Sequence, residues 1–120
     1  MRKILFTLAV LASLSIADAF AQEREVAIVA HRGFWNCGEA GAKNSIASIE
    51  QAQKNDFWGS EFDVNMSKDG KLLVFHDGAV EGKLIEKNPA AMFDYYRLKN
   101  GEQIPGIDAF FTQALKSPET

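Results

Sequence analysis

Three short runs in this chain carry side chains that can move protons or hold charge: His31-Arg32-Gly33, Glu61-Phe62-Asp63 and His76-Asp77. An imidazole titrates near neutral pH, so His31 and His76 can each give or take a proton. Arg32 is permanently charged and offers a planar fork that matches a phosphate. Gly33 lets the backbone turn sharply or approach a ligand. Glu61 and Asp63 stand two apart, so on a strand they project to one face while Phe62 points to the other. Two adjacent carboxylates repel unless a proton or cation lies between them. The pair is either a solvated strand face or a site for a hard, oxygen-seeking cation. Taken together, the three runs supply the parts for metal-assisted cleavage of a phosphodiester. Such a reaction needs charge neutralisation at phosphorus, one group to accept a proton and one to donate it. No P-loop, nucleophilic serine elbow or dinucleotide fingerprint is present in the sequence.

The elements that must position these groups are readable from the pattern. Residues 25–30 form a short apolar run, as expected of a strand buried on both faces. His31 and Arg32 follow at its C-terminal end, where α/β proteins place their sites. A loop rich in glycine and small residues spans 33–43, with the aromatic pair Phe34 and Trp35 read as packing beneath it. Asn44 or Ser45 then caps a helix with Ile46, Ile49 and Ala52 on one side, ending near Asn55-Asp56. A second strand is predicted over 60–66, a tight turn at Asp69-Gly70, and a returning strand over 71–75 that delivers His76. Asn88-Pro89 reads as the start of a short helix to about Leu98, stopped by Asn100-Gly101. The strongest helical periodicity is Ile107, Phe110, Phe111, Ala114 and Leu115, with Gly106 as N-cap. Strands alternating with helices predict βα units and a parallel sheet.

The N-terminus is of another kind. Arg2 and Lys3 precede an apolar run from Ile4 to about Ala17, and Ala19-Phe20-Ala21 precedes Gln22. A positive start, an apolar segment and an A-x-A site predict a cleaved signal peptide over 1–21. The run is shorter than the roughly 20 residues a spanning helix needs. The expected product is periplasmic or secreted, with no stable membrane anchor after cleavage. About 100 residues remain, enough for one modest domain. The 120-residue chain has net charge −3 and no basic stripe, which argues against nucleic acid as a partner. The single cysteine, Cys37, excludes an intrachain disulfide and reads as a small loop residue.

The ordered set Ala30-His31-Arg32-Gly33, Asn44-Ser45 opening a helix, Glu61-x-Asp63-Val64, Lys68-Asp69-Gly70 and His76-Asp77 resembles the glycerophosphodiester phosphodiesterase family. Ile104-Pro105 before the last helix fits the same pattern, and the resemblance runs from about Val26 to about Leu115. It implies a (β/α)8 TIM barrel, of which this chain covers the first βα units plus a β-hairpin. It implies His31 and His76 as the acid–base pair, Arg32 on the substrate phosphate, and Glu61 and Asp63 on a divalent ion, Ca²⁺ or Mg²⁺. The implied substrate is a small glycerophosphodiester. Its glycerol 2-hydroxyl attacks phosphorus, the alcohol leaves, and water opens the cyclic phosphate to glycerol 3-phosphate.

Two departures from that pattern stand out. Lys43 occupies the position where the family carries a glutamate before the Asn-Ser/Thr pair. It either adds to phosphate binding or faces solvent, and Glu39 is the nearest acid that could substitute. A TIM barrel also takes about 250 residues, so residues 22–120 are expected to be the N-terminal portion of a longer domain. A third metal-binding glutamate on a later strand is not among them, Glu119 lacking a flanking strand. Ile107, Phe110 and Phe111 are expected to present an uncovered apolar face. Competing expectations are a phospholipase-type enzyme of the same superfamily, and a non-catalytic fragment or binding and assembly module.

Overall fold

The computed structural model of the chain describes residues 26–38 and 40–117. The predicted signal peptide, Glu39 and Glu119 lie outside the described residues.

Strand β1 (Val29–Ala30) pairs in parallel with β2 (Gly59–Ser60), in register Val29 with Gly59 and Ala30 with Ser60. The bonds Trp58 N–H to Ile28 O and Glu61 N–H to Ala30 O extend the ladder at each end. Between these strands runs helix α1 (Ile46–Lys54), the crossover that a parallel pair requires. Ser45 is its N-cap: the Oγ accepts from Ser48 N at 3.0 Å and donates to Ala42 O at 2.7 Å. A second, remote cap comes from Glu102, whose carboxylate accepts from the N–H groups of Ile46 and Ala47 at 2.8 and 3.1 Å. These donors have no partner within a helix, and a carboxylate there also meets the positive end of the dipole.

The strand predicted over 60–66 is interrupted. Beyond β2 the ladder stops at Glu61 and resumes as β3 (Val64–Met66). The cause is local: the N–H of Asp63 donates to the side chain of Asn44 at 3.2 Å instead of to a neighbouring strand. β3 pairs antiparallel with β4 (Leu72–Val74) across the predicted Lys68-Asp69-Gly70 turn, Gly70 taking φ 77°. Ser67 and Asp69 lock that turn. Asp69 accepts from Ser67 Oγ at 2.6 Å and from Ala90 N–H at 2.9 Å, which ties the hairpin to the next segment. Both donors hold the Asp69 carboxyl below the usual carboxylate range. The contribution of this ion is therefore present at neutral pH and is lost as pH falls below that range. Asp69→Asn is expected to flatten the acid limb of a plot of urea midpoint against pH.

β4 is the pivot of the packing. Side chains alternate across a strand, so Leu73 and Val74 enter separate clusters. Leu73 joins Val80, Ile85, Phe93, Leu98 and Ile104 on one side. On the other, Val74 meets Ile49 of α1 and Phe110 of α2 (Ile107–Ala114), with Phe62 stacked 4.6 Å from Phe110. Gln53 and Gln113 add three hydrogen bonds between the two helices.

Several expectations need correction. The β1 run is not buried on both faces: Val26, Ile28 and Val29 are exposed, because β2 is its one strand neighbour among the described residues. Phe110 is fully buried rather than uncovered, whereas Phe111 and Leu115 remain open to solvent. The helix predicted from Asn88 to Leu98 is instead a single 3₁₀ turn, Ala90–Phe93, with Pro89 in the capping position and Asn88 Nδ2 donating to Leu84 O. The tighter winding stacks Ala90 and Phe93 on one side, and both are buried in the larger cluster. An additional hairpin joins β5 (Ala79–Val80) to β6 (Lys83–Leu84). Its turn residues Glu81 and Gly82 both have positive φ, the geometry a two-residue hairpin favours.

Candidate active site

The site begins where β1 ends. Arg32 and Gly33 both take left-handed backbone, φ 60° and 80°, and reverse the chain so that Gly33 N–H reaches back to Ala30 O. The turn aims the N–H of Arg32 at Glu61 Oε2, 3.0 Å away. Left-handed arginine is strained, and such strain persists where surrounding bonds over-determine it. Here Arg32 O accepts from Asn44 N–H at 2.9 Å and from Ser48 Oγ at 3.3 Å. Gly33 packs directly on α1: an added Cβ would fall 2.1 Å from Ser48 Oγ and 2.8 Å from its carbonyl carbon. Gly33→Ala is expected to destabilise the protein by about 2–4 kcal/mol, combining backbone strain with overpacking. Urea unfolding measures this.

Arg32 and Asn44 converge on Asp63. The Arg32 side chain is largely buried, and its Nε lies 3.2 Å from Asp63 Oδ2. The contact is an ion pair rather than an aligned hydrogen bond, since Nε has no geometrically satisfactory acceptor. Asn44 is buried, left-handed at φ 57°, and grips Asp63 twice: Nδ2 donates to Oδ2 at 3.0 Å while Oδ1 accepts from the backbone N–H. His31 is exposed, with Nε2 3.9 Å from Glu61 Oε2.

His76 arrives from the far side. Phe75 N–H bonds to Asp63 O at 3.0 Å, so the residue after Phe75 is held next to the carboxylate loop. Asn65 Nδ2 fixes the same segment through Phe75 O and Asp77 O. His76 Nδ1 lies 2.7 Å from Asp77 Oδ1. A carboxylate only accepts, so Nδ1 carries the proton and Nε2 is left for chemistry. The Asp77 side chain thus orients His76, while its carbonyl accepts from Asn65 at the end of the hairpin. A cleft of about 460 Å³ opens between Arg32, Trp35, Lys43, Asn44, His76 and Tyr96, with Asp77 also in its lining.

The structure therefore brings Arg32, Glu61 and Asp63 into direct contact, sets His31 beside Glu61 and places His76 on the cleft that Arg32 lines. Sequence reasoning missed the clamp made by Asn44 and the anchoring by Asn65. It also assigned Trp35 to packing beneath the loop, whereas Trp35 lines the cleft and Phe34 is the one that packs, 5.0 Å from Phe57. One usable signal existed: asparagine is the residue besides glycine that most readily turns left-handed.

The donor set suits a hard cation in kind. Glu61 and Asp63 each have one carboxylate oxygen bound by protein donors and one without a partner among the described residues. In number it is incomplete, since no group of three or more such ligating side chains occurs among the described residues.

The profile of the glycerophosphoryl diester phosphodiesterase family matches residues 31–117, which takes in every one of these groups. The chain belongs to that family. It is 33% identical over 109 residues to glycerophosphodiester phosphodiesterase 1 of Mus musculus, covering 76% of this chain and 31% of the mouse protein. The crystal structure of a glycerophosphodiester phosphodiesterase from Parabacteroides distasonis superposes with TM-score 0.73 at 36% identity, covering 77% of this chain and 38% of the other. An Oleispira antarctica phosphodiesterase, solved in complex with the product sn-glycerol-3-phosphate, matches with TM-score 0.63 at 27% identity, over 77% of this chain and 41% of its own. This phosphodiesterase-family chain spans about a third of the length of the curated relatives it matches. Its fold is the corresponding α/β part of a TIM barrel.

Proposed function

We propose that the protein to which these residues belong is an exported, metal-dependent hydrolase that cleaves glycerophosphodiesters to glycerol 3-phosphate and an alcohol. The observation that carries the reading is the junction at Asp63. One carboxylate holds the phosphate-type arginine at 3.2 Å through Oδ2, and its Oδ1 has no partner among the described residues. A guanidinium and a cation held on one carboxylate would share the oxygens of a single phosphate.

A bound divalent ion, Ca²⁺ or Mg²⁺, would neutralise phosphoryl oxygens, with Glu61 and Asp63 as its protein ligands. The terminal amino groups of Arg32 bind the phosphate and fix its orientation. One histidine takes the proton from the glycerol 2-hydroxyl as it attacks phosphorus, and the other protonates the departing alcohol oxygen. In the second half the roles reverse, as water opens the cyclic phosphate. Asn44 prevents Asp63 from rotating, and Asp77 keeps Nε2 of His76 available. Export is supported by the n-region, apolar run and A-x-A site of residues 1–21.

The test is to offer full-length protein water-soluble glycerophosphodiesters beside bilayer phospholipid. Release of glycerol 3-phosphate from the soluble diesters is expected; hydrolysis of the lipid alone would point to the phospholipase branch and defeat the proposal.

A further inference from the structure

The cleft has a charge pattern that phosphate cleavage alone does not require. Lys43 stands where the family pattern has an acid, and its Nζ sits 4.5 Å from the centre of the Trp35 ring. Lys99 lines the same cleft, together with Arg32. Neither lysine has a carboxylate within ion-pair distance among the described residues. The one carboxylate among the lining residues, Asp77, is committed to His76 at 2.7 Å. Two exposed lysines therefore add positive charge beyond that of Arg32 to a cleft whose substrate phosphate brings a single negative charge.

We propose that Trp35, Lys43 and Lys99 form a subsite for the alcohol side of the diester and select alcohols that carry negative charge, such as a second phosphate or a carboxylate. The proposal rests on the hydrolase reading given above. Its physical basis has two parts. Lys43 and Lys99 attract an anionic alcohol to an open cleft where charges of one sign add. Lys43 also occupies the aromatic face on which a quaternary ammonium would otherwise stack. A cationic alcohol thus loses its natural binding surface and meets like charge as well.

The experiment uses the full-length protein and three glycerophosphodiesters that differ in the alcohol: choline, glycerol and glycerol phosphate. The expected order of kcat/KM is glycerol phosphate, then glycerol, then choline. The two ends should differ by about tenfold or more at low salt and by less at about 0.3 M, where screening is stronger. Lys43→Met should lower the value for the glycerol phosphate diester and raise it for choline, compressing the order. Lys43→Arg should keep the order, as should Lys87→Met, which removes the same charge from a surface pair with Glu86. Equal rates for all three diesters, a preference for choline, or a Lys43→Met effect common to all three would overturn the subsite. Failure to cleave any of the three would instead overturn the hydrolase reading, and the subsite with it.

Discussion

Glu61→Ala is expected to lower kcat/KM for glycerophosphodiester hydrolysis by a factor of about 10³ or more, roughly 4 kcal/mol of transition-state stabilisation. The effect is large because one side chain serves three partners. Its carboxylate is one of the two cation ligands proposed for the site. Its Oε2 accepts the N–H of Arg32 at 3.0 Å and thereby helps to hold that residue in left-handed backbone. The same oxygen lies 3.9 Å from His31 Nε2. Alanine removes all three functions together, so a second variant is needed to separate them. Glu61→Gln retains an acceptor for the Arg32 N–H but no charge. Its activity should fall nearly as far as that of the alanine variant, while its thermal stability stays close to wild type. Activity of Glu61→Gln within about tenfold of wild type would mean that the role is to shape the Arg32 turn, with no part in cation binding.

The second large effect is expected at His76. Removing a general acid or base lowers turnover by about 10²–10⁴, and His76→Ala should fall in that range. Asp77→Asn should be milder, about tenfold. The amide preserves the shape of the contact but no longer requires Nδ1 to be the protonated nitrogen. His31→Ala should match His76→Ala on diesters of ordinary alcohols. The two diverge when the alcohol is a phenol with an electron-withdrawing substituent, which leaves without a proton. On that substrate the variant lacking the acid recovers activity, and the variant lacking the base does not. Recovery by both variants would assign neither histidine to attack on phosphorus.

Much of this site was legible in the sequence because its charged groups sit at regular offsets from strand ends. The runs at His31-Arg32-Gly33 and His76-Asp77 follow apolar stretches, and the structure places them at the ends of β1 and β4. Helix α1 was bounded to within a residue or two by Ser45 and Asn55, and α2 by its apolar period. What could not be read is the tertiary use of side chains with strong local habits. Asn44 and Ser45 both read as possible caps; Ser45 caps, and Asn44 instead reaches Asp63, 19 residues away. Glu61 to Met66 alternates like one strand, but the bond from Asp63 N–H to Asn44 divides it. The segment after Asn88 has a helical opening and good helix formers. The burial of Ala90, Phe93 and Leu98 in one cluster wins over that propensity and tightens the chain into a 3₁₀ turn. Glu102, capping α1 across 55 or 56 residues, has no local signature at all.

The features that sequence reasoning missed share a purpose. Asn44 bonds to Asp63, Ser48 bonds to Arg32 O, and Asn65 holds Phe75 O and Asp77 O on either side of His76. Two of the four left-handed non-glycine residues among those described, Arg32 and Asn44, face each other across the bond from Asn44 N–H to Arg32 O. Backbone strain concentrated at one junction, and satisfied there by hydrogen bonds, is the pattern expected of a preorganised site.

The central claim is that Glu61 and Asp63 hold a divalent cation on which phosphodiester cleavage depends. Full-length protein stripped with EDTA and dialysed would be assayed for glycerol 3-phosphate release, with and without added Ca²⁺ or Mg²⁺. Turnover should disappear on stripping, return with at least one of the two ions, and fail to return in Glu61→Ala at the same ion concentration. Undiminished release of glycerol 3-phosphate by the stripped protein would contradict the account.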